Sequence, residues 1–326
     1  MIRAVTCACR EGLAEVMRMP SGLQLVHCRA CDLYARREPP PSEALTLFYE
    51  RDYPRRFAAE QTGTRDNLQI HALRRIQSRA QPPAHLSSHL SDHPPRHPPF
   101  HLIDVGCGNG TLLELARQTG WTATGIDPSG EAAGMNHQAG IEIRRASWPL
   151  ADIPGNTADA VVFLNVLDHL PDPFTSLQAA WHVLRPGGVL YIRVPNGPFH
   201  VRLLTGRWGR TLSALPVFHL YGFGRNSLQH FLARAGFSHI DIRTAPVSRD
   251  DAYRDGEAMG TIRRLAKTLF KATYGLSACI GLDRFPWGPS IEALASKPGQ
   301  NQGSVTADHS ISSISPHSDA EDGAPG

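Results

Sequence analysis

One stretch constrains this chain more than any other: His101-Leu-Ile-Asp-Val-Gly-Cys-Gly-Asn-Gly-Thr-Leu-Leu-Glu-Leu-Ala-Arg117. The apolar run Leu102 to Val105 reads as a buried strand. Gly106, Gly108 and Gly110 make a tight loop. Leu112, Leu113, Leu115 and Ala116 then open a helix. A strand, a glycine loop and a helix start bring backbone N–H groups and a helix dipole against a ligand. Side chains in the loop would block that approach, and turns of this kind need positive φ. The pattern predicts an α/β chain with a parallel sheet and a ligand at the end of its first strand.

The spacing is G-x-G-x-G, not the G-x-G-x-x-G of dinucleotide sites. A second strand, Thr122-Ala-Thr-Gly-Ile126, ends in Asp127, where a carboxylate can accept hydrogen bonds from both hydroxyls of a ribose. Leu-Ile-Asp104-Val-Gly-Cys-Gly-Asn-Gly110 followed by Gly-Ile-Asp127-Pro128 resembles the class I S-adenosylmethionine-dependent methyltransferases. The resemblance implies a Rossmann-like, seven-stranded, mostly parallel sheet with helices on both faces. It assigns the cofactor to Asp104, Gly106, Cys107, Gly108, Asn109, Gly110, Asp127 and Pro128. Ser147 and Trp148, in the loop after the third strand (Ile141 to Arg144), would flank the adenine. Asn165 would lie beside the methionine part.

Ahead of this unit, Cys7-Ala-Cys9 and Cys28-Arg-Ala-Cys31 form two close pairs. Four thiolates can close a tetrahedral zinc site and let a small module fold without a large core. Leu25-Val-His-Cys28-Arg-Ala-Cys31-Asp-Leu-Tyr34 resembles the zinc-ribbon lead-in of a bacterial methyltransferase subgroup, continued by Pro40 to Tyr49 and by Tyr53. Members of that subgroup usually have Gly where this chain has Asp32, and C-x-x-C where it has Cys7-Ala-Cys9. His27, beside Cys28, reads as an exposed residue.

The rest of the chain divides by composition. A ribbon-like module (1–60) is followed by a helical lead-in (61–80) with Leu68, Ala72, Leu73 and Ile76 at helical spacing. The Pro-, Ser- and His-rich stretch 81–99 cannot build a core and reads as a disordered linker. Residues 100–298 form the main domain, and 299–326 a disordered tail. Within the main domain the pattern predicts a helix over 130–138, a strand Ala158 to Leu164, and a helix Phe174 to Leu184. A turn Arg185-Pro-Gly-Gly188 and a strand Val189 to Val194 follow. A helix Ser227 to Ala235, a strand Phe237 to Thr244 and a last strand beginning at Ser290 complete it. Residues 245–289 read as an insertion. Ile262, Leu265, Ala266, Leu269 and Phe270 would make the apolar face of a basic amphipathic helix there, able to touch an anionic membrane surface.

A net charge of +3 is too small to argue for nucleic acid. The first residues lack the apolar run of a signal peptide, so the expected compartment is the cytoplasm. If the resemblance holds, the chain must orient an acceptor against an already electrophilic methyl group and remove a proton from a hydroxyl. His169, after the fourth strand, and His219, in the segment expected to cover the site, are the candidate bases. The expected reaction is O-methylation of a saccharide, lipid or secondary-metabolite hydroxyl. An RNA methyltransferase gripping RNA with its ribbon and a non-catalytic cofactor-binding module are the alternatives.

Overall fold

A computed structural model describes residues 7–9, 15–19, 22–52, 66–80, 100–129, 134, 138–149, 152–205, 219–246, 268–269, 272–274, 276, 281–282 and 287–299. Its centre is a seven-stranded sheet. The strands are β4 (His101–Val105), β5 (Thr122–Ile126), β6 (Ile141–Arg144), β7 (Ala158–Leu164), β8 (Leu184–Pro195), β10 (Ser238–Thr244) and β11 (Ser290–Ser296), in the order β10-β11-β8-β7-β4-β5-β6. All pairings from β8 to β6 are parallel, and β11 runs antiparallel to both β8 and β10. The chain builds β4, β5 and β6 outward, then returns to lay β7 on the other side of β4. That reversal opens a crevice at the carboxyl ends of β4 and β7, where ligands of open α/β sheets bind.

Two cores flank the sheet. On one face, α2 (Asp66–Ala80) and α3 (Thr111–Gln118) bury Ala72, Leu73, Ile76, Leu112, Leu113 and Ala116. On the other, α4 (Pro173–Val183) and α6 (Arg225–Arg234) bury Leu177, Ala180, Leu228, Phe231 and Leu232. Helix α4 starts where Asp172 accepts the Thr175 backbone N–H at 3.0 Å, with Pro173 at the first helical position. Helix α6 ends before Gly236, whose φ of 95° few residues with a Cβ adopt.

A buried ionic cluster ties α2 to the sheet. Glu292 on β11 accepts from Tyr191 Oη (2.9 Å) and bonds His71 Nε2 (2.7 Å), and Arg75 Nε lies 3.1 Å from its other oxygen. The bonds from His71 and Tyr191 and the charge of Arg75 hold the Glu292 carboxyl below its ordinary range despite burial.

A second sheet, β1 (Glu15–Arg18), β2 (Gln24–Cys28), β3 (Leu33–Arg36) and β9 (Tyr221–Gly222), forms at the N-terminus. Its last strand belongs to the main domain. Tyr34 pairs with Gly222 and Ala35 with Tyr221, so the ribbon is stitched to the segment that follows His219. Gly197 and Gly222 make this fit possible, because a Cβ on Gly197 would lie 2.5 Å from Gly222 backbone atoms.

Several expectations change. Residues 185–188 are drawn into β8 rather than forming a separate turn. The β7–β8 register jumps from Ala158↔Leu184 to Ala160↔Val189, and Gly187 at φ 82° absorbs the extra length. Helix α5 (Gly197–Thr205) lies in the segment read only as variable. His27 is buried, stacked on Tyr34 at 4.1 Å. Asp32 stands at φ 58°, a left-handed position that favours Gly and that Asp tolerates better than most residues. The expected helix over 130–138 falls largely outside the described residues. So do the linker, the tail from residue 300, and the amphipathic face of 262–271 apart from the exposed Leu269. No helix among the described residues is long and apolar enough to cross a membrane.

Candidate active site

A cavity of about 330 Å³ opens at the carboxyl ends of β4 and β7. Asp104, Gly106, Cys107, Gly108, Asn109, Asp127, Pro128, Ser147, Trp148, Asn165 and His169 all line it. Gly110 does not; it is the residue before α3, at φ 79°. Every predicted cofactor residue is thus in the wall or directly beneath it.

The loop geometry explains its glycines. Gly106 sits at φ 72°, and a Cβ there would lie 2.4 Å from Val166 Cγ2. Gly108, at φ 53°, would meet nothing within 4 Å, so a side chain at this lining position would project into open space. The Gly108 N–H donates to Asp127 Oδ2 at 2.9 Å, and the Ser129 N–H donates to Oδ1 at 2.9 Å. The Ser129 hydroxyl also donates to Oδ1, at 2.5 Å, so these bonds fix the carboxylate at the cavity wall and leave its open lone pair on Oδ2, where a ribose hydroxyl can donate. Trp148 is both wall and core: it lines the cavity, and its indole N–H donates to Ser176 O at 3.1 Å. Burial pushes the Cys107 thiol far above its ordinary range, which removes it as a nucleophile.

Asp104 is buried without a hydrogen-bonded cation among the described residues. Desolvation, with the Asp127 charge adding to it, pushes its carboxyl up to about 8. A cavity with one buried carboxyl and one hydrogen-bonded carboxylate wants a cationic group at one end and hydroxyls at the other. S-adenosylmethionine presents an ammonium and a ribose diol, so the donor set fits it.

Asn165 holds a left-handed conformation (φ 60°) because Arg193 grips it twice. The Asn165 N–H donates to Arg193 O at 2.8 Å, and the guanidinium donates to Asn165 Oδ1. Beyond it, a single 3-10 turn at Leu167–His169 carries both His169 and a fully buried carboxylate, Asp168. His169 Nε2 lies 3.6 Å from Asp168 Oδ2, and His219 Nδ1 bonds the same oxygen. The two histidines therefore differ. His169 is in the cavity wall, whereas His219, whose ring lies 4.6 Å from that of His169, does not line the cavity. Burial pulls the His169 imidazole down to about 4, so it is neutral at pH 7. The neighbouring imidazoles keep Asp168 below its ordinary range despite burial.

Sequence reasoning missed Tyr49. It lies in a π-helical turn, Phe48–Asp52, directly after α1 (Ser42–Leu47). It lines the cavity with Leu45 and Thr46, and its Oη is 2.7 Å from His169 Nδ1. Neither spacing nor periodicity marks this residue, because its partner is 120 positions away. Asp168 was the more legible omission, being acidic and adjacent to His169.

The four N-terminal cysteines also converge. Their Sγ atoms lie within 4.8 Å of one another, with Cys7–Cys31 at 2.9 Å, Cys7–Cys9 at 3.0 Å and Cys9–Cys28 at 3.4 Å. Zinc–sulfur bonds of about 2.3 Å set tetrahedral S···S edges of roughly 3.8 Å, so a small outward adjustment admits the ion.

Residues 63–242 match the family described as a methyltransferase domain. The chain belongs to this family, the class I S-adenosylmethionine-dependent methyltransferases. Among curated methyltransferases, the ubiquinone biosynthesis O-methyltransferase of Pseudomonas entomophila is 35% identical over 103 residues, covering 29% of this chain and 44% of the relative. The enzyme of that name from Haemophilus ducreyi is 35% identical over 106 residues, covering 29% and 45%. The chain thus spans less than half the length of these relatives. Among solved structures, the [4+2]-cyclase SpnF overlays with a TM-score of 0.52 at 18% identity, over 80% of this chain and 97% of that one. That likeness is one of fold.

Proposed function

We propose that this methyltransferase moves a methyl group from S-adenosylmethionine to a hydroxyl of a small molecule: a saccharide, a lipid or a secondary metabolite. The observation that carries the reading is the placement of His169 in the cavity wall beside the buried Asp168 carboxylate. A sulfonium supplies an electrophilic methyl group when bound; an amine is already nucleophilic, whereas a hydroxyl benefits from a base. His169 takes the hydroxyl proton, Asp168 stabilises the imidazolium, and His219 holds the Asp168 carboxylate. Asp127 holds the ribose, Asp104 the ammonium, and the wall from Asn165 to His169 excludes water around the acceptor. The O-directed names of the curated relatives support this reading.

The ribbon, in this reading, is a zinc-bound structural wall with Cys7, Cys9, Cys28 and Cys31 as ligands, working in the cytoplasm. Its pairing with β9 supports that role over an RNA grip. Peripheral membrane contact through 262–271 would bring the enzyme to a lipid acceptor.

The test has two parts. Calorimetry with S-adenosylhomocysteine is expected to give saturable binding that Asp127→Ala weakens about 100-fold. Methyl-labelled cofactor should label small-molecule or lipid fractions of cell extract and leave RNA unlabelled. Label in RNA alone would transfer the assignment to the RNA reading; cofactor binding with no label anywhere would leave a non-catalytic module.

A further inference from the structure

The acceptor end of the cavity is built partly by the ribbon's lead-in. Leu45, Thr46 and Tyr49 face the crevice alongside Leu170 and Pro171. Tyr49 meets His169 edge to face, with ring centroids 5.7 Å apart and Oη 2.7 Å from Nδ1. His169 Nε2 faces the Asp168 carboxylate at 3.6 Å, a charge contact longer than a hydrogen bond, and the tautomer that places the proton on this side leaves Nδ1 as the acceptor. The acceptor nitrogen of the base therefore points at the Tyr49 phenol.

Resting on the O-methylation reading, we propose that Tyr49 is a catalytic residue, the group that touches the acceptor hydroxyl and passes its proton to His169. The acceptor oxygen bonds the methyl carbon as the S–CH3 bond breaks and its electron pair returns to sulfur. The acceptor proton moves to Tyr49 Oη while the Tyr49 proton moves to His169 Nδ1. The imidazolium faces the Asp168 carboxylate and later gives its proton to water. The apolar neighbours Leu45 and Leu170 select an acceptor whose hydroxyl sits on an apolar or aromatic frame, rather than a fully hydrated sugar. The ribbon then contributes chemistry and not only a wall.

Tyr49→Phe removes the hydroxyl and keeps the ring against Phe48 and His169. On the extract fraction that the wild type labels, turnover is expected to fall about 100-fold with KM and cofactor affinity within about two-fold. In Tyr49→Phe bound to S-adenosylhomocysteine, the ¹⁵N resonance of His169 Nδ1 should move toward that of an unbonded ring nitrogen. The double variant Tyr49→Phe/His169→Asn should be no slower than His169→Asn alone, because one proton path is broken once. A Tyr49→Phe enzyme within three-fold of wild type, additive losses in the double variant, or an unmoved Nδ1 resonance would each overturn the proposal. So would turnover that requires added manganese at unchanged zinc content, which would assign Asp168, His169 and His219 to a cation. Absence of label with the wild type overturns the O-methylation reading itself and this proposal with it.

Discussion

The two ends of the cavity are built in opposite ways. The proposed cofactor end comes mainly from one local run, Asp104 to Ser129, in which a strand, a loop, a helix start and the next strand close on one another. The proposed acceptor end draws on Leu45 to Tyr49 and Val166 to Pro171, with His219 bonded to Asp168. Loop geometry therefore defends the cofactor end, and long-range contacts defend the acceptor end. A substitution should damage one end without the other, and that separation can be broken experimentally.

The largest effect is expected from Gly106→Ala. A non-glycine residue at positive φ costs about 1–2 kcal/mol, and the collision with Val166 adds about 1–3. Calorimetry should find S-adenosylhomocysteine bound about 100-fold more weakly. A loss under three-fold would mean that the loop tolerates a side chain and that cofactor recognition is not local.

His219→Ala should do the reverse. It leaves Asp168 with one fewer partner, so turnover on the labelled fraction should fall about 10-fold while cofactor affinity stays unchanged. His219→Gln, which keeps a donor, should recover most of the rate. Equal losses of affinity and rate would erase the distinction between the two ends.

A proton count sharpens the cofactor end. Asp104, raised to about 8, holds its proton in the folded apoprotein at neutral pH and loses it in the unfolded chain. Its contribution to stability is fully present below the unfolded value of 3.8 and is lost as pH rises to about 8, so this group should lower the apoprotein thermal midpoint between about pH 4 and 8. Binding of an ammonium beside Asp104 should release about one proton at pH 7, measured by calorimetry in buffers of different ionisation enthalpy. Asp104→Asn should abolish both signals; a release that persists in this variant would assign the proton elsewhere.

The smallest effect is a control on the shared scaffold. Asp172→Ala removes the α4 cap and should cost about 1 kcal/mol in urea unfolding. Cofactor affinity and turnover should both be unchanged.

That Asp104, Gly106, Gly108 and Asp127 share one cavity wall was legible because strand, glycines and acidic residues follow one another at fixed spacing. Asp104, Gly106, Gly108 and Asp127 could be named from that spacing. The N-terminal cysteines were legible for the same reason, since two short-range pairs suffice to suggest four ligands. The difference between His169 and His219 was not legible. Both are histidines near expected loops, and only packing puts one in the wall and the other outside it, bonded to a carboxylate. Tyr49 was hidden more deeply, in a lead-in whose route to the crevice depends on β3 pairing with β9.

By itself, then, the sequence determined the parallel α/β sheet, the glycine loop and the kind of ligand that loop admits. Those depend on backbone conformation and short-range side-chain spacing. Only the tertiary structure decided that the ribbon shares a strand with the main domain, that Asp168 lies between two histidines, and that Tyr49 meets His169. Those contacts join residues far apart in the chain, such as Tyr34 with Gly222 and Tyr49 with His169. No local propensity encodes such a meeting; it arises when several elements bury their apolar faces together and bring the polar groups between them within bonding distance.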